Sequence, residues 1–135
     1  MTAPDLAPGV NGRRSGRAAA VGALALDIVL VAAFAAIGRA SHDSEVWTGL
    51  WQTAWPFLAG LAIGWLATRA WRAPAAPVRT GLGVWALTVA GGMLLRGLSG
   101  QGIALPFILV ASVTLLVALV GWRLVAALVH RRRRR

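Results

Sequence analysis

Residues 103–122 read IALPFILVASVTLLVALVGW, a run of 20 residues without a charge that ends directly before Arg123. A helix of this length rises about 30 Å, which matches the hydrocarbon thickness of a bilayer. Three more apolar runs precede it, and short segments containing Arg, Gly or Pro separate them. The pattern predicts an all-α membrane protein with four transmembrane helices, at about residues 18–38, 53–71, 81–98 and 103–123.

The composition supports this class. Apolar residues make up 58% of the 135 residues, charged residues only 13%, and the mean hydropathy is +0.69. A soluble domain has about 45–50% apolar and about 25% charged residues. The chain contains no cysteine, which excludes disulfides, thiolate metal sites and cysteine nucleophiles. All fourteen basic residues are arginine. Alanine and glycine are also abundant, and this combination is typical of a GC-rich bacterial genome.

The chain divides into one membrane domain with two tails. Residues 1–17 mix Pro, Gly and polar residues without periodicity and are predicted to be a disordered tail. Residues 18–129 form the transmembrane domain and residues 130–135 a basic tail. An uncleaved first helix is favoured over a signal peptide, since its apolar run is long enough to span and contains Asp27. Short connections favour antiparallel neighbours, and Thr80 is the expected N-cap of the third helix.

The arginines predict the orientation. With the N-terminus inside, the cytoplasmic segments hold twelve of the fourteen arginines, and only Arg39 and Arg96 lie outside. Because arginine is enriched on the cytoplasmic side, we expect a multi-pass protein of the bacterial cell membrane with both termini cytoplasmic. The run Arg131, Arg132, Arg133, Arg134 and Arg135 could neutralise nucleic-acid phosphates. Directly after a transmembrane helix it favours a lipid anchor, at about 1 kcal/mol per arginine on anionic inner-leaflet lipids, and no nucleic-acid partner is expected.

Small residues predict close helix packing. Gly60 and Gly64 form a small-xxx-small pattern, which lets two helix backbones approach in lipid. Thr88 and Gly92 recur at the same spacing on the third helix. These faces could join helices within one chain, or form the interface of a homodimer or of a complex with another membrane protein.

Asp27 is the main candidate for function. A carboxylate near the bilayer centre costs roughly 2.5–3.5 kcal/mol, so it is retained if it is paired, hydrated or protonated. Counting residues from the predicted inner helix ends places Asp27 level with Thr88 and Ser112. One hypothesis is an outward-facing polar pocket with Asp27 as its floor and a rim of Arg39, His42, Asp43 and Arg96. The alternative is that Asp27 bonds to Thr88 or Ser112 and only fixes the helix register.

Several short motifs together resemble a known family. They are Leu26-Asp27, Gly38-Arg39 with Ser41-His42, the run 53–57 with Gly60, the run 91–96, and Gly121-Trp122-Arg123. Over about residues 19–125 the chain resembles a bacterial family of small integral membrane proteins called domain of unknown function 3054. The resemblance implies a four-helix membrane protein without an assigned activity.

Two functions are compatible with these features. The first is a structural or accessory membrane component, and the alternative is a small proton-coupled transporter that uses Asp27 as its coupling carboxylate. An enzyme is not expected, because no nucleophile or set of metal ligands has usable spacing, and neither a metal nor a cofactor is implied.

Overall fold

The structure, a computed structural model, describes residues 9–40 and 46–135. Four α-helices account for most of them: α1 (Gly9–Ala40), α2 (Val46–Thr68), α3 (Gly83–Leu98) and α4 (Leu105–Arg133). A short 3-10 turn (Ala70–Arg72) and a π-helical turn (Pro77–Leu82) connect α2 to α3. The part of the chain that the structure describes contains no strand, so the all-α prediction is confirmed.

Three helical segments are long and apolar enough to cross a membrane. They are Asn11–Ala40, Pro77–Leu98 and Leu105–Arg133. The second predicted span, in α2, is not among them. Its 23 residues would rise about 34 Å, but Trp, Gln, Thr and Pro residues in its first half lower its hydropathy.

The outer surface of the helices is apolar. Val29, Leu66 and Val117 are each more than 60% exposed, although they belong to three different helices. The buried side chains of all four helices nevertheless form one core, which includes Val31, Phe57, Val84, Leu115 and Leu119. A chain with apolar residues on both its inner and its outer faces is suited to lipid rather than water as its solvent.

Several helix ends differ from the predicted ones. Helix α1 begins at Gly9, so residues 9–17 are helical and the predicted disorder is wrong there. Helix α4 continues to Arg133 and therefore includes four of the six residues of the predicted basic tail. Both extensions follow from cooperativity, because a helix already formed gains a hydrogen bond for each added residue, and arginine is a good helix former.

The start of α3 also differs from its prediction. Thr80 lies inside the π-helical turn, and its hydroxyl donates a hydrogen bond to the Ala73 carbonyl at 2.6 Å. The residue before α3 is Leu82, which itself has helical backbone angles and makes no side-chain cap. Because the turn runs straight into α3, the first amides of the helix have helical partners and need no cap.

Helices α2 and α3 approach most closely at the predicted small residues. A Cβ atom on Gly60 would lie 2.7 Å from the Thr88 carbonyl oxygen and 3.0 Å from the Gly92 nitrogen. A Cβ atom on Gly64 would lie 3.2 Å from the backbone of Val84. The structure thus brings Gly60, Gly64, Thr88 and Gly92 together inside one chain, and the Gly60–Gly64 face is not available to a second copy.

Candidate functional site

Asp27 lies at the centre of a buried polar cluster. Its side chain has no exposed surface, and it is the one acidic side chain in residues 9–40 and 46–135. Its Oδ1 accepts hydrogen bonds from Trp122 Nε1 at 2.9 Å and Arg123 Nη1 at 3.0 Å. Its Oδ2 accepts from Trp65 Nε1 at 2.9 Å and Arg123 Nη2 at 2.7 Å. We call Asp27, Trp65, Trp122 and Arg123 the Asp27–Arg123 cluster.

The donors around Asp27 indicate the protonation state of its carboxyl group. Indole and guanidinium nitrogens in this cluster are donors only, so all four neighbours of the Asp27 oxygens donate. A protonated carboxyl group would need an acceptor for its own proton, and none of the four contacts supplies one. The arrangement therefore suits an ionised carboxylate in a bidentate pair with Arg123.

Arg123 is held as completely as its partner. Its side chain is also fully buried. Beyond the pair, its Nε donates to the Pro74 carbonyl at 2.9 Å and its Nη1 to the Leu119 carbonyl at 2.7 Å. Its Cδ lies against Gly81, where a Cβ atom would approach it to 3.1 Å. The Arg123 side chain thereby links α4 to α1 and to the α2–α3 connection.

The energetic role of the cluster follows from its burial. Removing each ion from water costs several kcal/mol, and the attraction of a buried pair offsets this cost only with good geometry and further hydrogen bonds. Both conditions are met, since every Asp27 oxygen has two donors and Arg123 has two carbonyl acceptors besides. An alternative helix register would leave buried charges unpaired, so the cluster fixes how α1, α2 and α4 meet.

These contacts correct the surroundings that both hypotheses gave to Asp27. It does not face the predicted pocket, and neither Thr88 nor Ser112 is its partner. The Thr88 hydroxyl has no hydrogen-bond partner within the described residues, and the Ser112 carbonyl accepts from Trp85 Nε1 at 2.9 Å. The depth count failed because the inner ends of α1 and α4 do not lie at the same depth: Asp27 is 18 residues from Gly9, whereas its partner Arg123 is 10 residues from Arg133. A usable signal was present: Arg123 is followed by the apolar residues 124–129, and isolated charges in apolar helices pair with each other.

A separate cavity lies near the other end of α1. Its volume is about 880 Å³. Its polar lining comes from Arg39, Thr53, Arg96 and Gln101, and its apolar lining includes Phe34, Ile103, Phe107 and Val110. We call it the arginine cavity. The structure thus brings Arg39 and Arg96 of the predicted pocket together, whereas His42 and Asp43 lie outside the described residues.

The two arginines of the cavity are oriented by polar and aromatic neighbours. Arg39 Nη1 donates to Thr53 Oγ1 at 3.2 Å. Arg96 Nη1 donates to Gln101 Oε1 at 3.0 Å, and its Cζ lies 4.4 Å from the centre of the Phe107 ring, a cation–π contact. Both guanidinium groups are therefore positioned at the cavity rather than spread into solvent.

An aromatic layer separates the cavity from the Asp27–Arg123 cluster. It consists of the three phenylalanines of the chain, Phe34, Phe57 and Phe107. The Phe34 and Phe57 rings meet edge to face at 5.3 Å, and Phe107 lies 6.3 and 6.1 Å from them. On α1, Phe34 comes between Asp27 and Arg39, which are about 18 Å apart along the helix axis. The polar groups thus form two layers rather than one pocket.

The terminal arginines form a third basic feature. Arg131 to Arg135 are all exposed, and the first three continue α4.

Within the described residues, no group of three His, Cys, Asp or Glu side chains lies close enough together to hold a metal ion.

These features define a class: a helical protein with membrane-compatible helices and a buried ion pair that joins its first helix to its last. The chain belongs to the family described as Protein of unknown function (DUF3054), whose profile matches residues 24–126. The match confirms the resemblance noted in the sequence, and it includes both Asp27 and Arg123. Comparison with curated proteins and with solved structures gives no match.

Proposed function

We propose that this protein is a multi-pass component of the bacterial cell membrane with a structural or accessory role. The observation that carries the proposal is the Asp27–Arg123 cluster, in which both charges are fully buried and hydrogen-bonded. A carboxylate used in this way stabilises one helix arrangement. That is the property expected of a rigid scaffold in the membrane.

The same cluster argues against the alternative of proton-coupled transport. A coupling carboxylate has to release its partners so that it can bind a proton or a substrate, and it has to be reached from both sides. Asp27 has no exposed surface, and releasing it would leave Arg123 buried without a counter-charge. The phenylalanine layer stands between it and the arginine cavity. We accordingly propose neither a carrier nor an enzyme, and no cofactor.

We further propose that α2 crosses the membrane with the other three helices. It lies against α3 along Gly60 and Gly64, and its Trp65 reaches Asp27 in α1. A helix packed in this way between two apolar spans lies at the same depth in the membrane as they do. Its length of about 34 Å is sufficient to cross the hydrocarbon core of about 30 Å.

The basic ends favour a location of both termini in the cytoplasm. Three arginines occupy the first turns of α1 and three the last turn of α4, and arginine is enriched on the cytoplasmic side. Exposed Arg131 to Arg135 would bind anionic inner-leaflet lipids there, at about 1 kcal/mol each. A protein partner, or a second copy, would meet the apolar outer faces of α1 and α4, since the small-residue face of α2 is already covered by α3.

A flux assay tests the choice between scaffold and carrier. Purified protein is reconstituted in liposomes that contain a pH-sensitive dye, and a proton gradient is imposed. We expect the gradient to decay as in protein-free liposomes. Proton entry above that background, lost in the Asp27→Asn variant at equal reconstitution, would refute the scaffold proposal.

A further inference from the structure

The arginine cavity combines a cationic wall with an apolar one. Arg96 makes no ion pair with any residue that the structure describes, and its Nε is buried without a hydrogen-bond partner there. Asp27, the one acidic side chain in the described part of the chain, pairs with Arg123 beyond the phenylalanine layer. Within the described residues the positive charge of Arg96 therefore has no counter-charge, and Arg39 lies on the same wall of the cavity.

The remaining walls suit a hydrocarbon chain. Phe34 and Phe107 form one side, and the exposed side chains of Ile103 and Val110 open the cavity towards the surroundings of α4. A volume of about 880 Å³ lies in the range of small-molecule sites, roughly 300–1,000 Å³. A ligand that satisfies both halves has an anionic head and an alkyl tail.

We propose that the arginine cavity binds one anionic phospholipid, with its phosphate on Arg96 and an acyl chain against Phe34 and Phe107. A membrane lipid is favoured over a soluble anion because the apolar wall opens through lipid-facing residues. Moreover, Arg39 and Arg96 lie in the last turns of α1 and α3, at the level where head groups are found. The inference rests on the membrane placement proposed above.

Photo-crosslinking in bilayers tests this site. The protein is reconstituted with a small fraction of phosphatidylglycerol or phosphatidylcholine that carries a diazirine on its acyl chain, and the labelled residues are identified by peptide sequencing. We expect phosphatidylglycerol to label the cavity segment, residues 103–110, well above phosphatidylcholine. Arg96→Gln should reduce this labelling at least about tenfold, as expected for the loss of a charge-assisted contact.

Two further variants keep the test decisive. Val110→Trp fills the apolar side of the cavity and should also abolish the labelling, even if Arg96→Gln folds poorly. Arg72→Gln, at the exposed end of the 3-10 turn between α2 and α3, should leave it unchanged. Equal labelling by the two lipids, or labelling insensitive to both cavity variants, would overturn the proposal. Loss of labelling in millimolar inorganic phosphate would overturn the lipid assignment in favour of a free anion.

The same samples separate this inference from the membrane placement. Protein that is extracted from membranes by alkaline carbonate would contradict the membrane placement itself. Protein that resists extraction, yet shows unselective labelling, would contradict only the lipid site.

Discussion

Replacing Asp27 by Asn is the most informative perturbation of the fold. The two side chains are nearly identical in shape, but the amide removes the negative charge and places an NH₂ group where one oxygen accepted two hydrogen bonds. That NH₂ group would face an indole N–H and a guanidinium N–H. Arg123 would remain fully buried without a counter-ion and would lose one of its two hydrogen bonds to residue 27.

The expected destabilisation is large. Removing one partner of a buried ion pair costs about 3–5 kcal/mol, compared with a total stability of about 5–15 kcal/mol for a typical domain. The assay is reversible unfolding in mixed lipid–detergent micelles by titration with a denaturing detergent. Tryptophan fluorescence is a suitable signal, because Trp65 and Trp122 both contact Asp27.

A double-mutant cycle assigns the loss to the pair. Asp27→Leu and Arg123→Met should each be strongly destabilising, whereas the double variant removes both charges and should recover about 2–3 kcal/mol of their sum. Arg132→Met, an exposed arginine of the same helix, should change stability by less than about 0.5 kcal/mol. Additive single effects, or an Asp27→Asn variant as stable as the native protein, would refute the reasoning.

Three further predictions concern the packing of α2 on α3, the hydrogen bond of Trp65 and the membrane orientation. Gly60→Ala should lower the stability by about 1–3 kcal/mol in the same titration, because its new Cβ would lie 2.7 Å from a backbone carbonyl of α3. Gly121→Ala, whose new Cβ meets open space, should cost no stability. An equal loss of stability in both variants would contradict the packing of α2 on α3. Trp65→Phe removes one hydrogen bond to the buried carboxylate and should cost about 1.5–3 kcal/mol, so a loss below about 0.5 kcal/mol would count against that bond. The chain has no cysteine, so a single introduced cysteine can report the orientation. Ser99→Cys should react with a membrane-impermeant maleimide in intact cells, whereas Ser15→Cys should react only after lysis. The reverse pattern would refute the orientation with both termini in the cytoplasm.

The helical fold was predictable because lipid imposes a simple length requirement. A spanning helix needs about 20 apolar residues, and that signal is local in sequence. The residues of the α2–α3 contact were also visible, since Gly60 with Gly64 and Thr88 with Gly92 are each four residues apart and small residues allow backbones to meet, but this spacing does not determine which helices they join. The helix ends were less predictable, because residues 9–17 are polar and become helical by extending a helix formed elsewhere.

The partner of Asp27 was not predictable from local patterns. Arg123 lies 96 residues away, and their contact depends on how far α1 and α4 are shifted along their axes. The positive-inside rule assigns Arg123 to the cytoplasm, and Trp122 beside it resembles an interfacial aromatic residue. The indole N–H groups of Trp65 and Trp122 are instead used inside the protein. Pairing the isolated charges of the apolar helices is the rule that would have found this contact.

The ionisation state of Asp27 beside Arg123 can be measured directly from the infrared absorption of its carboxyl group. The measurement is the difference spectrum at neutral pH between the native protein and Asp27→Asn, both in lipid and with ¹³C-labelled aspartate. We expect the variant to lose a carboxylate stretching band. If it instead loses the carbonyl band of a protonated carboxyl group, Asp27 is not the anion of a buried ion pair.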